Sequence, residues 1–577
     1  MKPKPRPGAS VPLVYGVMLV TRRDANICAV ARALILASWS TVAWAQQPRR
    51  EREPPPLTPA LATVRATLIE THLDFLAHDL LEGRGPGTRG GELAARFVAS
   101  QFSAIGLHGG AADGSMYQWL PLVGLTSEAS IVIGAQRSTL VLDEGADFVA
   151  RPERPDSIVS LDAPIVFVGH GITAPRWDWD DYKGSAQTGR VVMILANDPG
   201  AQDSAVFQGH AVTWYGSERY KLDQAARMGA AGVLLIYDQA LVPVPWAALR
   251  DSWSAKHILL DQPPQRSLRF AAWITSDAAR RIVEATGKDY AVLTRRAQMR
   301  VFSPIDVGAR AAVDIRSRVQ HFRSANVIAR LSGTDSVLGH EAVVLTAHYD
   351  HLGIARPEHG DSIYNGAVEN ASGVSVLLAV ANAVSHANRS PRRSVVFIAT
   401  TASEEALGAQ TYVSQPTVPL DRTAALINVD DANVWGPTRD IVADGASLSE
   451  LDSSVTAAAR AESLSVTPDP YVTLGDLYRG DQLPFAQAGV PVVLLRPGVE
   501  RQGADLPGSS NPWLTYVAGQ YDRPGDEVRP TFDYRGAVQQ ARFLIRLVWS
   551  LAQGNALPRW HDKTEFGSPG RTAPPLH

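Results

Sequence analysis

The chain has 577 residues, 45% of them hydrophobic and 20% charged, with a formal net charge of -3. The length exceeds the roughly 100–200 residues of one typical domain, the composition is that of a soluble globular protein, and the near-neutral charge gives no basis for a nucleic-acid partner. The only cysteine, Cys28, excludes both a disulfide framework and a thiolate metal site.

Residues 1–45 read as a signal peptide. Six basic residues and one acid, Asp24, lie between Lys2 and Arg32, and the apolar run AVARALILASWSTVAWA closes on Ala43-Trp44-Ala45, a small-x-small cleavage pattern. The basic region is long, and a start at Met18 would give a more usual length. Arg22-Arg23 is followed by DANICA, which lacks the apolar continuation of a twin-arginine signal. Removing residues 1–45 leaves 49 basic and 57 acidic residues, a net charge of -8, and no cysteine. The expectation is export, to the periplasm or beyond, with an uncleaved membrane anchor as the alternative. No second long apolar run follows, so the mature chain is not expected to span a membrane. Residues 46–60, QQPRREREPPPLTPA, read as a flexible leader, and residues 561–577, ending in GSPGRTAPPLH, as a loose tail.

Beyond the leader, residues 61–129 begin with apolar positions at helical spacing in LATVRATLIETHLDFLAHDLLEGR and GGELAARFVASQFSAIG. The glycine-rich GRGPGTRG between them reads as a helix–helix connection, because no GxxxxGK[ST] pattern accompanies it. Residues 130–275 have a different texture. Short strand-like runs (SIVIGA, APIVFVGHGI, GRVVMILAND, GVLLIYD) alternate with turns and one helical stretch, SERYKLDQAARMGA, which predicts a compact β-rich insertion. Residues 276–560 carry the main α/β pattern. ANVIARLSG, EAVVLTAHYD, RSVVFIAT, TAALINVD and VPVVLLRPG are short apolar strands, and GVSVLLAVANAVSHA, ELDSSVTAAARAESL and YRGAVQQARFLIRLVWSLA are helices.

Four strand-end segments carry polar clusters. EAVVLTAHYDHLG ends in His348, Tyr349, Asp350 and His351. Residues i and i+2 of a strand face the same way, so His348 and Asp350 can meet, and a carboxylate beside an imidazole fixes its tautomer as a metal ligand. In GAVENASG, Glu369 sits in a turn before an apolar helix, where an acid is favourable even without a metal. In SEEALG, Glu404 and Glu405 are adjacent, so one can bind a metal while the other serves as a base. Asp430 and Asp431 end the strand TAALINVD, where acids cost desolvation unless hydrogen-bonded or metal-bound. Four such clusters without a thiolate fit a nitrogen-and-oxygen site for zinc or a similar dication. Neither a G-x-S-x-G elbow nor HExxH is present.

These segments, in this order, resemble the M28 family of co-catalytic zinc peptidases, in its bacterial branch with an inserted protease-associated (PA) domain. The matching stretches are HLDFLAHDLLEGRGPGTRGGELAARFVASQFSAIGL, AHYDHLG, DSIYNGAVENASG, SEEALG, INVD and YRGDQLPFAQAGVPVV, with FVGHGITAPRWDWDDYKG and GAAGVLLIYD in the PA-like part, over about residues 65–565. The resemblance implies a mixed-sheet, zinc-exopeptidase-like α/β catalytic domain (phosphorylase/hydrolase-like) and an exported metallopeptidase acting on peptide or protein N-termini. It implies two divalent cations, zinc by family, with His348, Glu369, Glu405, Asp430 and Asp522 as ligands. Glu369 would bridge the two, Asp350 would orient His348, and Glu404 would be the general base. Three positions depart from the pattern: Glu369 stands where the family has Asp, Asp522 where it has His, and Gly480-Asp481-Gln482 where it has Ser-Asp-His. The carboxylate-rich ligand set leans from zinc towards manganese, cobalt or magnesium. The departures keep an alternative in view, a degenerate relative that binds peptides with weak or no peptidase activity.

Overall fold

Runs rich in Val, Ile and Phe favour extended chain, and in the computed structural model such runs form the strands of one large mixed sheet. The structure describes residues 57–135, 138–242, 244–262, 268–503, 511–562 and 564–567. The signal-peptide reading of 1–45, the leader up to residue 56 and the tail from 568 lie outside the described residues.

After a short helix at Thr58–Thr63 come two longer ones, α1 (Ala66–Leu76) and α2 (Arg89–Ala104). Then follow β1 (Tyr117–Ala135), β2 (Phe148–Pro152), β3 (Ile158–Phe167), β4 (Val191–Leu195), β5 (Gly232–Tyr237) and β6 (Phe270–Thr275). A 27-residue strand, β7 (Ile305–Leu331), leads into β8 (Ala342–His348), helix α3 (Gly373–Ser385), β9 (Ser394–Thr400) and β10 (Thr423–Val429). The chain closes with β11 (Asp440–Asp444), β12 (Ser465–Thr467), β13 (Val492–Arg496) and helix α4 (Arg535–Gln553). The strand order is β12-β11-β13-β10-β8-β9-β7-β3-β4-β5-β6-β2, with β1 laid along β7.

Strands β9, β8, β10 and β13 are parallel neighbours, so their C-terminal ends share one edge. That edge is where open α/β sheets place ligands. Side chains alternate across the sheet. Val343, Leu345, Phe397 and Ile427 pack under the helices on one face, and Val344, Val396, Ile398 and Leu426 pack on the other. Helix α3 is apolar all round, as a helix inside a core must be. Among the described residues the stretch Ala367–Ser385 is long and apolar enough to cross a membrane, yet 94% of its most apolar part is buried within the protein.

The β-rich segment has its own cores, one built from Ile131, Phe148, Phe167, Ile236, Phe270 and Ile315. They draw on residues 129–315 and so reach beyond the expected limits of 130–275. Nor does the segment hang on a linker: Pro54–His577 forms one compact unit. Strand β7 joins the two halves, pairing antiparallel with β3 through Ile305–Arg316 and with β9 through Val327–Leu331. Order also begins earlier than the leader reading supposed. A helix spans Thr58–Thr63, and Leu57 and Ala60 are buried in the main core. At the far end, Phe566 packs on Trp560, with ring centroids 5.0 Å apart.

Candidate metal centre

The last residue of β8 is His348, Asp430 directly follows β10, and Glu369 sits in the turn before α3. The three meet. His348 Nε2 lies 3.0 Å from Glu369 Oε1 and 3.4 Å from Asp430 Oδ1, and one ligand atom from each lies within 4.8 Å of the others. Burial and the nearby Asp430 and Asp431 carboxylates push Glu369 well above the usual carboxylate range. Burial works against a charged His348, but Glu369 and Asp430 outweigh it and raise the imidazole well above its ordinary value. Asp430 is lowered despite burial, because His348 faces it.

Asp350 lies beside His348, with its backbone nearer the imidazole than its carboxylate. His348 Nδ1 lies 3.1 Å from the Asp350 backbone carbonyl oxygen and 3.9 Å from the carboxylate. The strand ends at His348, so the alternation that would set positions 348 and 350 side by side does not continue. The Asp350 carboxylate instead accepts the Ser403 amide at 3.3 Å through Oδ2, and its Oδ1 has no partner.

The Glu369 turn is held from three sides. Fully buried Arg84 donates to the carbonyls of Tyr349 (2.8 Å), Leu76 (2.6 Å), Gly366 (2.9 Å) and Asn365. Asp526 accepts the amides of Val368 and Glu369, both at 3.0 Å, and the Tyr516 hydroxyl at 3.0 Å. Asn370 caps α3 by accepting the Gly373 amide at 2.9 Å. Gly366 opens the turn at φ 58°, and a Cβ there would stand 2.2 Å from the Glu369 carbonyl oxygen and 2.7 Å from the His351 ring. Only glycine fits such a left-handed, crowded position.

A second group lies alongside. His351, Glu404 and Asp522 also bring ligand atoms within 4.8 Å of one another. His351 is 2% exposed, and neither ring nitrogen has a hydrogen-bond partner. Burial, then the Glu404 charge, raises Asp522 well above its usual range. Glu404 is the most exposed of the three, yet partial loss of hydration among its neighbours, with Asp350 and Glu405 adding repulsion that His348 offsets, raises it to about 7.

Glu405 is not among these groups. It turns away to Arg151, with Nη2 to Oε1 at 3.0 Å. The turn Ser403–Glu405 is a tight helical turn bracketed by left-handed Ala402 and Ala406, at φ 54° and 50°. Neighbouring side chains in such a turn point about 120° apart, so Glu404 and Glu405 cannot both face the cleft. Glu369 stands in the first group only. Gln482 is buried and committed, accepting from Asn428 at 2.9 Å and donating to the Asp476 carbonyl at 2.7 Å.

The residues present suit divalent cations. Asp350 Oδ1 and the His351 ring nitrogens, buried without hydrogen-bond partners, are costly unless something binds them. Crowded carboxylates whose protonation is favoured by mutual repulsion are relieved by positive charge. Three supporting residues went unread in the sequence. His351 was visible in AHYDHLG but lay out of phase with the strand, while Arg84 and Asp526 act through backbone groups that no spacing rule marks.

Residues 326–547 match the sequence profile of peptidase family M28. No curated protein matches the chain. Among solved structures, an aminopeptidase from Aneurinibacillus sp. strain AM-1 is similar at 18% identity, covering 86% of this chain and 97% of its own, with a TM-score of 0.49. A zinc aminopeptidase from Bacillus subtilis aligns at 15% identity over 87% and 97%, with a TM-score of 0.41. A peptidase M28 precursor from Shewanella amazonensis SB2B aligns at 16% over 85% and 97%, also with a TM-score of 0.41.

Proposed function

We propose that the protein is a metal-dependent peptidase of aminopeptidase type. One observation carries the reading: His348, Glu369 and Asp430 come from three segments to one point on the C-terminal edge of parallel strands, inside the region that matches a peptidase family. These three would hold one divalent cation, and His351 and Asp522 would face a second, with Glu404 beside them left free as the base. Zinc suits one imidazole with carboxylates, and the three carboxylates among these five ligands also admit manganese, cobalt or magnesium. A bound cation there supplies Lewis acidity towards a carbonyl oxygen and makes bound water more acidic.

The chain's own residues supply the rest. Glu404, raised to about 7, takes a proton from the attacking water and returns it to the leaving amine. Asp350 fixes the turn that presents Glu404, through the Ser403 amide. The β-rich half is assigned as a PA-like module on its FVGHGITAPRWDWDDYKG and GAAGVLLIYD stretches, and export rests on residues 1–45.

Metal analysis of the gently purified full chain, paired with hydrolysis of amino-acyl anilides, tests the proposal. Two cations per chain and a fall in kcat of at least about 100-fold for Glu404→Gln are expected. Asp522 in a histidine's place and the Arg151–Glu405 pair favour one rival, a peptide-binding protein without activity. A metal-free protein that stays inert with added zinc, manganese or cobalt would establish that rival instead.

A further inference from the structure

The segment Asp476–Gln482 runs past the candidate metal centre. A Cβ on Gly480 would stand 3.7 Å from Asp430 Oδ2, and the Asp481 carboxylate accepts the Thr400 hydroxyl at the end of β9. Buried Gln482 clamps the segment. Its amide nitrogen donates to the carbonyls of Asp476 at 2.7 Å, Leu477 at 3.3 Å and Arg479. Its Oε1 accepts from Asn428 on β10, which itself accepts the Thr346 hydroxyl of β8 at 2.8 Å. The turn before Gly480 is therefore fixed to the strands that lead to His348 and Asp430.

That turn presents Arg479. Its side chain is 59% exposed, yet it lies near enough to Glu404, Tyr521 and Asp522 to act on their charges. Nε donates to Asp476 Oδ1 at 2.7 Å and Nη2 pairs with the same oxygen, so one edge of the guanidinium is held and Nη1 is left to the solvent. Asp476 has a second cation, Arg496, which pairs with its other oxygen, ends β13 and is buried 4.8 Å over Trp513. Of these two cations only Arg479 stands open to a ligand. A guanidinium held flat with a free edge suits a carboxylate.

We propose that Arg479 binds a carboxylate on the leaving residue, either the α-carboxylate of a dipeptide or an acidic side chain, and so sets a preference for substrates that carry one there. The inference rests on the peptidase reading with Glu404 as the base. Glu404 hands its proton to the leaving amine, so the residue attached to that amine lies on the side of Glu404 where Arg479 stands. Glu404 and Asp522 would repel an anionic group at that place, and the guanidinium offsets them.

The test compares kcat/KM of the zinc-loaded full chain for Leu-Ala, Leu-Ala amide and Leu-Asp amide, with leucyl anilide as the reference. Wild-type protein that cleaves none of the four overturns the peptidase reading, and this inference with it. Protein that cleaves the anilide but shows no preference for a carboxylate overturns this inference alone. The expected preference over Leu-Ala amide is at least about tenfold, expressed chiefly in KM. A gain for Leu-Ala identifies the main-chain carboxylate, and a gain for Leu-Asp amide the side chain. Arg479→Gln brings the ratio to about one, while Arg479→Lys, which keeps the charge without the planar fork, retains about a third of it. Asp476 keeps Arg496 in both variants, so the turn retains an anchor. A loss in Arg479→Gln shared equally by all substrates leaves the ratio unchanged and overturns the proposal. A preference for glutamyl over leucyl anilide that Arg479→Gln abolishes would place the carboxylate before the scissile bond, and overturns it too.

Discussion

A buried imidazole with neither nitrogen hydrogen-bonded costs about 1–3 kcal/mol, and His351 is in that state. A bound cation would relieve it. Replacing His351 with Leu therefore separates two effects. The metal-free protein should be at least as stable as wild type in thermal unfolding, while affinity for the second cation should fall about 10–100-fold in a chelator titration. A destabilised metal-free variant with unchanged affinity would make His351 a packing residue only. Both histidines of AHYDH were plain in the sequence, but the period-2 rule applies only within a strand. Because β8 stops at His348, the chain turns and carries His351, not Asp350, towards Asp522. Which of Glu404 and Glu405 faces the cleft was equally hidden, since the left-handed alanines on either side set the phase of the turn.

At the level of elements, the turn from Gly366 to α3 is where sequence and packing are most tightly joined. Gly366→Ala would place a methyl against the Glu369 carbonyl and the His351 ring. The expected loss is about 1–3 kcal/mol of stability together with weaker binding of the first cation, measured by denaturant unfolding and by titration. Normal affinity in a destabilised variant would show that the turn's geometry does not govern the site. The strands that carry the site were legible because each is a short apolar run buried on both faces, and α3 because it is apolar all round. Strand β7 was read only at its end, ANVIARLSG. Its middle, RSRVQHFR, is largely exposed or half-exposed, so no apolar face marks it as extended, and its pairing with β1 is set by long-range register.

Across the whole molecule, acid stability should depend on a group far from the metal centre. His170, in the β-rich half, is fully buried. Its Nδ1 lies 3.0 Å from the Asn197 carbonyl oxygen, and its Nε2 accepts from Gln298 at 3.0 Å. Burial first, then the Lys221 cation, lowers it from 6.5 to about 3. Between those values the unfolded chain binds a proton that the folded chain refuses, so stability falls as pH drops from 6.5 towards 3. The contribution is as much as about 5 kcal/mol. His170→Gln should flatten that limb of a stability–pH curve relative to wild type. Asp181, raised to about 7 by burial, pulls the other way, so the difference between the two curves is the quantity to read. Identical slopes would count against a neutral His170.

Strand β7 also links the β-rich half to the turn that carries Glu404. Hydrogen bonds to β1 run along it from Ala309 to Val327, while its two ends are sewn into different halves of the sheet. A spar laced in this way gives the two halves of the sheet a shared backbone, and one of its ends pairs with β9, whose C-terminus leads into the Ser403–Glu405 turn.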